Sequence, residues 1–137
     1  MNQEIPIKLN IKTVNHGDKG SLSIVDFKSV LPFDIKRCFY IYDVKKGTIR
    51  GKHAHYELRQ FIWCVKGKLK VSAISIDGKK YEFLLDKPDQ GIYIPNLTWA
   101  NQISLSDECI YFIAASDYYK EEDYIRNWEV FKKKFVK

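Results

Sequence analysis

Nine short runs built for β-structure follow one another along the chain, at 5–9, 21–25, 38–44, 60–65, 68–76, 80–85, 91–94, 100–104 and 109–115. They are separated by turns, not by helical crossovers, so parallel βαβ architectures are excluded and an antiparallel barrel or sandwich is what such a chain can fold into. Within the run 68–76, Lys68, Leu69, Lys70 and Val71 alternate polar and apolar, as a half-buried strand requires. Asp77-Gly78 between two runs predicts a tight hairpin, and Gly47, Lys66-Gly67 and Pro95-Asn96 punctuate other connections. Only the C-terminal stretch departs from this rhythm. Residues 121–135 are rich in helix formers, with Tyr124, Ile125, Trp128 and Phe131 at helical spacing and acids leading bases, which suits a helix dipole. This stretch is expected to be a helix that closes the open side of the barrel with its aromatic face.

At 137 residues, 45% hydrophobic and 15% aromatic, the chain is expected to form one domain, 1–137, with a real core. The first ten residues hold no apolar leader segment. The longest apolar run, 110–115, is far too short to span a bilayer, so a cytoplasmic protein without membrane contact is expected. Cys38, Cys64 and Cys109 are odd in number and sit in apolar runs, which reads as buried, reduced thiols. The net charge of +6 is mostly lysine, and it suits a polyanionic ligand such as a nucleotide sugar. Nucleic acid is not expected as a partner, because no recognition helix, zinc knuckle or aromatic RNA-binding motif is present.

Gly47, His53, His55, Gln60 and Gly67 fall at the spacing Gly-x5-His-x-His-x4-Gln-x6-Gly. On a strand, residues two apart face the same side, so both imidazoles enter the same interior. The spacing resembles the metal motif of the cupins, small jelly-roll β-barrels, except that a carboxylate ligand is replaced by Gln60. The later cupin motif, Gly-x5-Pro-x-Gly-x2-His, corresponds to the stretch from Gly91 to Trp99, with Trp99 about where the third histidine belongs. His16, the one remaining histidine, lies in a polar loop. With two of four ligand positions of the wrong chemistry, neither metal nor other cofactor is expected.

A pair of imidazoles in a barrel mouth can take and return protons near neutrality. Proton abstraction beside a carbonyl needs a base, a donor to the enolate oxygen and exclusion of water. Candidates are His53 or His55 as base, the other imidazole or Tyr42 as donor, and Trp63 and Trp99 as walls. Arg50 and Arg59 flank the pair, and their planar guanidinium groups suit phosphate.

Three collinear motifs carry a family resemblance: Asp34-Ile35-Lys36-Arg37 before an aromatic strand, Arg50-Gly51-Lys52-His53-Ala54-His55, and Ala115-Ser116-Asp117-Tyr118-Tyr119 leading through Glu122-Asp123-Tyr124-Ile125-Arg126. From about residue 20 to 131 the chain resembles the dTDP-sugar 3,4-ketoisomerases. That resemblance implies an all-β fold, a small cupin-type antiparallel barrel with a short C-terminal helical segment, metal-free and homodimeric. It implies conversion of dTDP-4-keto-6-deoxy-D-glucose to a 3-keto isomer that feeds 3-amino-3,6-dideoxy sugars of surface glycans, lipopolysaccharide among them. His53 would be the base, His55 its support, and Arg50 a contact to sugar or pyrophosphate, with Arg37, Arg59, Gln60, Trp99 and Lys19 as further substrate contacts. Family members often carry two tyrosines where this chain has Phe39-Tyr40, so Tyr42 or a water would serve as donor. The loop Lys19-Gly20-Ser21-Leu22 looks more like the branch that gives the galacto product than the gluco one, although Lys19 stands where that branch tends to have arginine. Two other readings remain open at this stage: a non-catalytic sugar- or effector-binding cupin, and a metal-dependent oxygenase.

Overall fold

The computed structural model describes residues 4–137 as two five-stranded antiparallel sheets packed face to face. The strands are β1 (Ile7–Asn10), β2 (Lys12–Asn15), β3 (Ser21–Ile24), β4 (Arg37–Val44), β5 (Ile49–His55), β6 (Gln60–Lys66), β7 (Leu69–Ile74), β8 (Lys80–Leu85), β9 (Gln90–Ile94), β10 (Trp99–Ser104), β11 (Cys109–Ala115) and β12 (Tyr124–Ile125). One sheet runs β1-β9-β6-β11-β4 and the other β12-β5-β10-β7-β8, while β2 and β3 form a separate hairpin. This is the jelly-roll sandwich that the turn-separated runs predict.

The interior follows from strand alternation. Ile62, Cys64, Ile92, Ile94, Tyr111 and Ile113 of the first sheet meet Leu69, Val71, Ala73, Leu85 and Ala100 of the second in one buried cluster. The predicted turn at Asp77-Gly78 joins β7 to β8, with Gly78 at φ +81° and its N–H donating to the Ser75 carbonyl at 2.9 Å. Cys64 and Cys109 are buried side by side, Sγ to Sγ 3.6 Å, whereas Cys38 is exposed on the outer face of β4, contrary to the expectation for all three. Burial pushes the Cys64 thiol up to about 12, so it stays protonated.

The C-terminal stretch is not one helix. A single 3₁₀ turn at Glu121–Asp123 precedes β12, and the helix α1 spans only Trp128–Phe135. Asn127 caps it by accepting a hydrogen bond from the Val130 N–H at 3.1 Å. Phe131 is fully buried against Trp99, Ala54 and Ile125 on the outer face of the second sheet. The aromatic face is buried as expected, but against a sheet face instead of across the barrel mouth. None of the described helices is long and apolar enough to cross a membrane.

Candidate active site

Strand β5 carries the histidine pair, and its alternation sorts the side chains. Ala54 packs beneath α1, while His53 and His55 point the other way, with ring centroids 4.9 Å apart in an edge-on arrangement. A bulge adds to this arrangement. Ala100 of β10 pairs with His53 and Asn101 with Gly51, leaving Lys52 as an extra residue on β5. Gly51 has φ +92°, and a Cβ there would sit 3.0 Å from both the Ala100 carbonyl and the Asn101 Cα, so only glycine fits. Residues three apart on a regular strand face opposite sides. The extra residue brings Arg50 and His53 to the same side, and both line one cavity of about 300 Å³.

That cavity is completed by Gln60 and Gln102, by Phe39, Ile41 and Ile113 from the first sheet, and by Tyr124 and Arg126 after the 3₁₀ turn. Tyr124 pairs with His55 in register. Its ring centroid lies 5.0 Å from that of His53 and 4.3 Å from that of His55. Behind the pair, His55 Nδ1 lies 3.2 Å from Asp123 Oδ2. The same carboxylate accepts the backbone N–H groups of Glu57 at 2.9 Å and Leu58 at 3.2 Å, which pins it in place. A proton on Nδ1 of His55 faces the carboxylate, so Nε2 carries the lone pair.

Both imidazoles are held below the usual histidine range. For His53 burial is the main cause, with the Arg126 charge adding to it and the Gly51 backbone and Glu121 opposing it. His55 is brought down to about 4 by burial and by His53, against the pull of Asp123. Both are therefore neutral at pH 7, the form that accepts a proton. His53 Nδ1 and His55 Nε2 are buried with no hydrogen-bond partner.

The remaining sequence candidates scatter. Arg37 sits at the edge of the site, its guanidinium 5.2 Å from the Phe39 ring and 5.8 Å from that of Tyr119. Arg59 turns away, 5.5 Å from the Phe33 ring and bonded to the Pro32 carbonyl, and lines a different cleft. Tyr42 stands 59% exposed on the outer face of β4, because it alternates with Phe39 and Ile41, which face the interior. It cannot donate into this cavity. Trp99 is packed against Trp128 and Phe131 beneath α1, and Trp63 stacks on Phe112 outside the sandwich, so neither walls the cavity. Lys19 is exposed in the β2–β3 connection, apart from the cavity lining. Among the described residues, no three His, Cys, Asp or Glu side chains converge to hold a metal ion.

Asp123, Tyr124 and Arg126 were missed as site residues because their segment reads as helix. A family model described as FdtA: WxcM-like, C-terminal, matches residues 6–136. The chain belongs to this family. A TDP-4-oxo-6-deoxy-α-D-glucose-3,4-oxoisomerase of Aneurinibacillus thermoaerophilus is 40% identical over 120 residues, which are 87% of this chain and 85% of that protein. The crystal structure of QdtA, a sugar 3,4-ketoisomerase from Thermoanaerobacterium thermosaccharolyticum in complex with TDP, superposes with a TM-score of 0.87 at 32% identity, covering 95% of this chain and 93% of that one. The rmlC epimerase of Mycobacterium tuberculosis shares the fold at a TM-score of 0.73 and 17% identity, over 87% and 66% of the two chains. This member of the family is an isomerase of the sugar 3,4-ketoisomerase type, built on a cupin-type sandwich.

Proposed function

We propose that this isomerase, acting as one domain over residues 1–137, converts dTDP-4-keto-6-deoxy-D-glucose to the 3-keto isomer, with His53 as the base. The observation that carries this is the His53 imidazole on the cavity wall, its Nδ1 without a hydrogen-bond partner, beside an Arg50 brought to the same side by the Lys52 bulge. The ketone at carbon 4 acidifies the proton on carbon 3. His53 takes that proton, the electron pair forms a C3–C4 double bond, and the carbon 4 oxygen gains a proton from a donor. The carbon 3 hydroxyl then loses its proton, its carbonyl forms, and carbon 4 is protonated. Tyr124 is the donor of choice in place of Tyr42: it lines the cavity, packs on both imidazoles, and its hydroxyl bonds to no described residue. His55, held by Asp123, supports His53 without lining the cavity. Gln60 at the cavity wall and Arg50 bind sugar or diphosphate.

The galacto configuration at carbon 4 is favoured over gluco, on the character of the loop Lys19-Gly20-Ser21-Leu22. The product serves 3-amino-3,6-dideoxy sugars for surface glycans such as lipopolysaccharide. A homodimer is supported by the aromatic outer face of the first sheet, where Tyr40 and Tyr42 are 56% and 59% exposed beside Phe112. The decisive experiment is incubation with the 4-keto sugar nucleotide in heavy water, followed by NMR. Deuterium at carbon 4 of a 3-keto product is expected. Recovery of unchanged, unlabelled substrate would sink the reading and leave a non-catalytic binder.

A further inference from the structure

Arg50 and Arg126 are the two cations on the cavity wall, and Arg126 is already engaged. Its Nε donates to Glu121 Oε1 at 2.8 Å and its Nη2 to Oε2 at 2.9 Å, a parallel fork of the kind a phosphate group also accepts. The guanidinium lies 4.0 Å from the centroid of the Tyr124 ring, so its position is set by the residue that packs on the imidazoles. Glu121 in turn receives the Tyr119 hydroxyl. Arg126 is 52% exposed and Glu121 58% exposed. An ion pair so open to water is weak and exchangeable. A cavity of about 300 Å³ holds a hexose but not a whole sugar nucleotide, so the charged diphosphate falls at the mouth, where this pair stands.

Resting on the sugar-nucleotide reading above, we infer that Arg126 is a diphosphate-binding residue of the cavity mouth, and that Glu121 holds its fork until the diphosphate of a nucleoside-diphosphate sugar displaces it. Glu121 is then a competitor for the same guanidinium. Removing it strengthens anion binding, whereas removing Arg126 weakens it. If the ion pair were only a staple for the segment leading into β12, breaking it from either end would have the same effect.

The test is calorimetric titration of the full chain with TDP, and separately with inorganic pyrophosphate. Arg126→Gln should weaken TDP binding about 10-fold or more, comparable to loss of one charge-assisted fork. Arg126→Lys, which keeps the charge without the fork, should fall between that variant and wild type. Glu121→Gln should tighten binding by about 2- to 5-fold. The inference is overturned if Arg126→Gln and Arg126→Lys bind TDP as wild type does, or if the Glu121 and Arg126 variants shift affinity in the same direction. If wild type binds pyrophosphate in an Arg126-dependent way but gains nothing from TDP, the anion site stands and the nucleotide reading falls. If wild type binds neither probe, both fall.

Discussion

Asp123 and His55, 68 positions apart in the chain, meet at 3.2 Å between Oδ2 and Nδ1. The contact ties the 3₁₀ turn before β12 to the end of β5, and two backbone N–H groups fix the carboxylate that makes it. Asp123→Asn leaves one oxygen where the carboxylate offers two: at Oδ1 it can still accept the Glu57 N–H, while the amide nitrogen then faces the Leu58 N–H and the His55 imidazole in place of a charge. We expect kcat to fall about 10- to 100-fold, a range typical of partners that orient a histidine, with a modest lowering of Tm from the one backbone bond lost. The pH profile of kcat should shift as well. A variant with an unaltered profile and a lowered Tm would mean that Asp123 only holds the turn.

His53→Asn tests the base itself. General acid–base groups contribute about two to four orders of magnitude, so turnover should fall by that much while TDP affinity stays near wild type. In heavy water the variant should leave the sugar unlabelled. Near-normal turnover, or joint loss of binding and activity, would remove His53 from that role.

Stability should depend on pH through the buried histidines. Both imidazoles titrate lower in the folded chain than the ordinary histidine value of about 6.5, His55 at about 4. The unfolded chain therefore binds protons first as pH drops. Stability is full above about pH 6.5 and declines toward pH 4, by up to about 1.4 kcal/mol per pH unit for each proton. Thermal melts across this range should show the fall, and His55→Gln should flatten it. A Tm that holds constant from pH 7 to 4.5 would contradict the burial of both rings.

Activity is expected to survive EDTA, with far less than one transition metal per chain by elemental analysis. The argument is the donor set: Gln60 stands at one ligand position, and Trp99 points beneath α1 at another. A stoichiometric metal whose removal abolishes turnover would overturn it.

Sedimentation should find a dimer at micromolar concentration, burying the Tyr40 and Tyr42 face. Tyr40→Glu with Tyr42→Glu should shift the population to monomer. A wild-type monomer would leave that face for another role.

Much of the sandwich could be read from the chain, because β7 carries the polar–apolar alternation of a half-buried strand, β11 the unbroken apolar run of a buried one, and turn residues separate the runs. Strand β2 could not, since all four of its residues are exposed and leave no hydrophobic period. Strand β12 was hidden by a coincidence. Tyr124, Ile125, Trp128 and Phe131 are spaced as one helical stripe, yet the first two pair with β5 and only the latter two belong to α1. The histidine pair and Arg50 could be found from spacing. Tyr42 was misplaced because its orientation depends on which parity of β4 faces the interior, which the unbroken run of large side chains Phe39, Tyr40, Ile41 and Tyr42 does not reveal.

The unpaired Lys52 makes the site a matter of counting as much as of chemistry. Its side chain is exposed and any residue tolerant of φ +61° could stand there, yet its presence decides which side of the sheet Arg50 occupies. Deleting that single position would leave every reactive group in the sequence and put the arginine and the base on opposite sides of the sheet. Scanning by substitution would score the position as dispensable, and only a change of length would expose what it does.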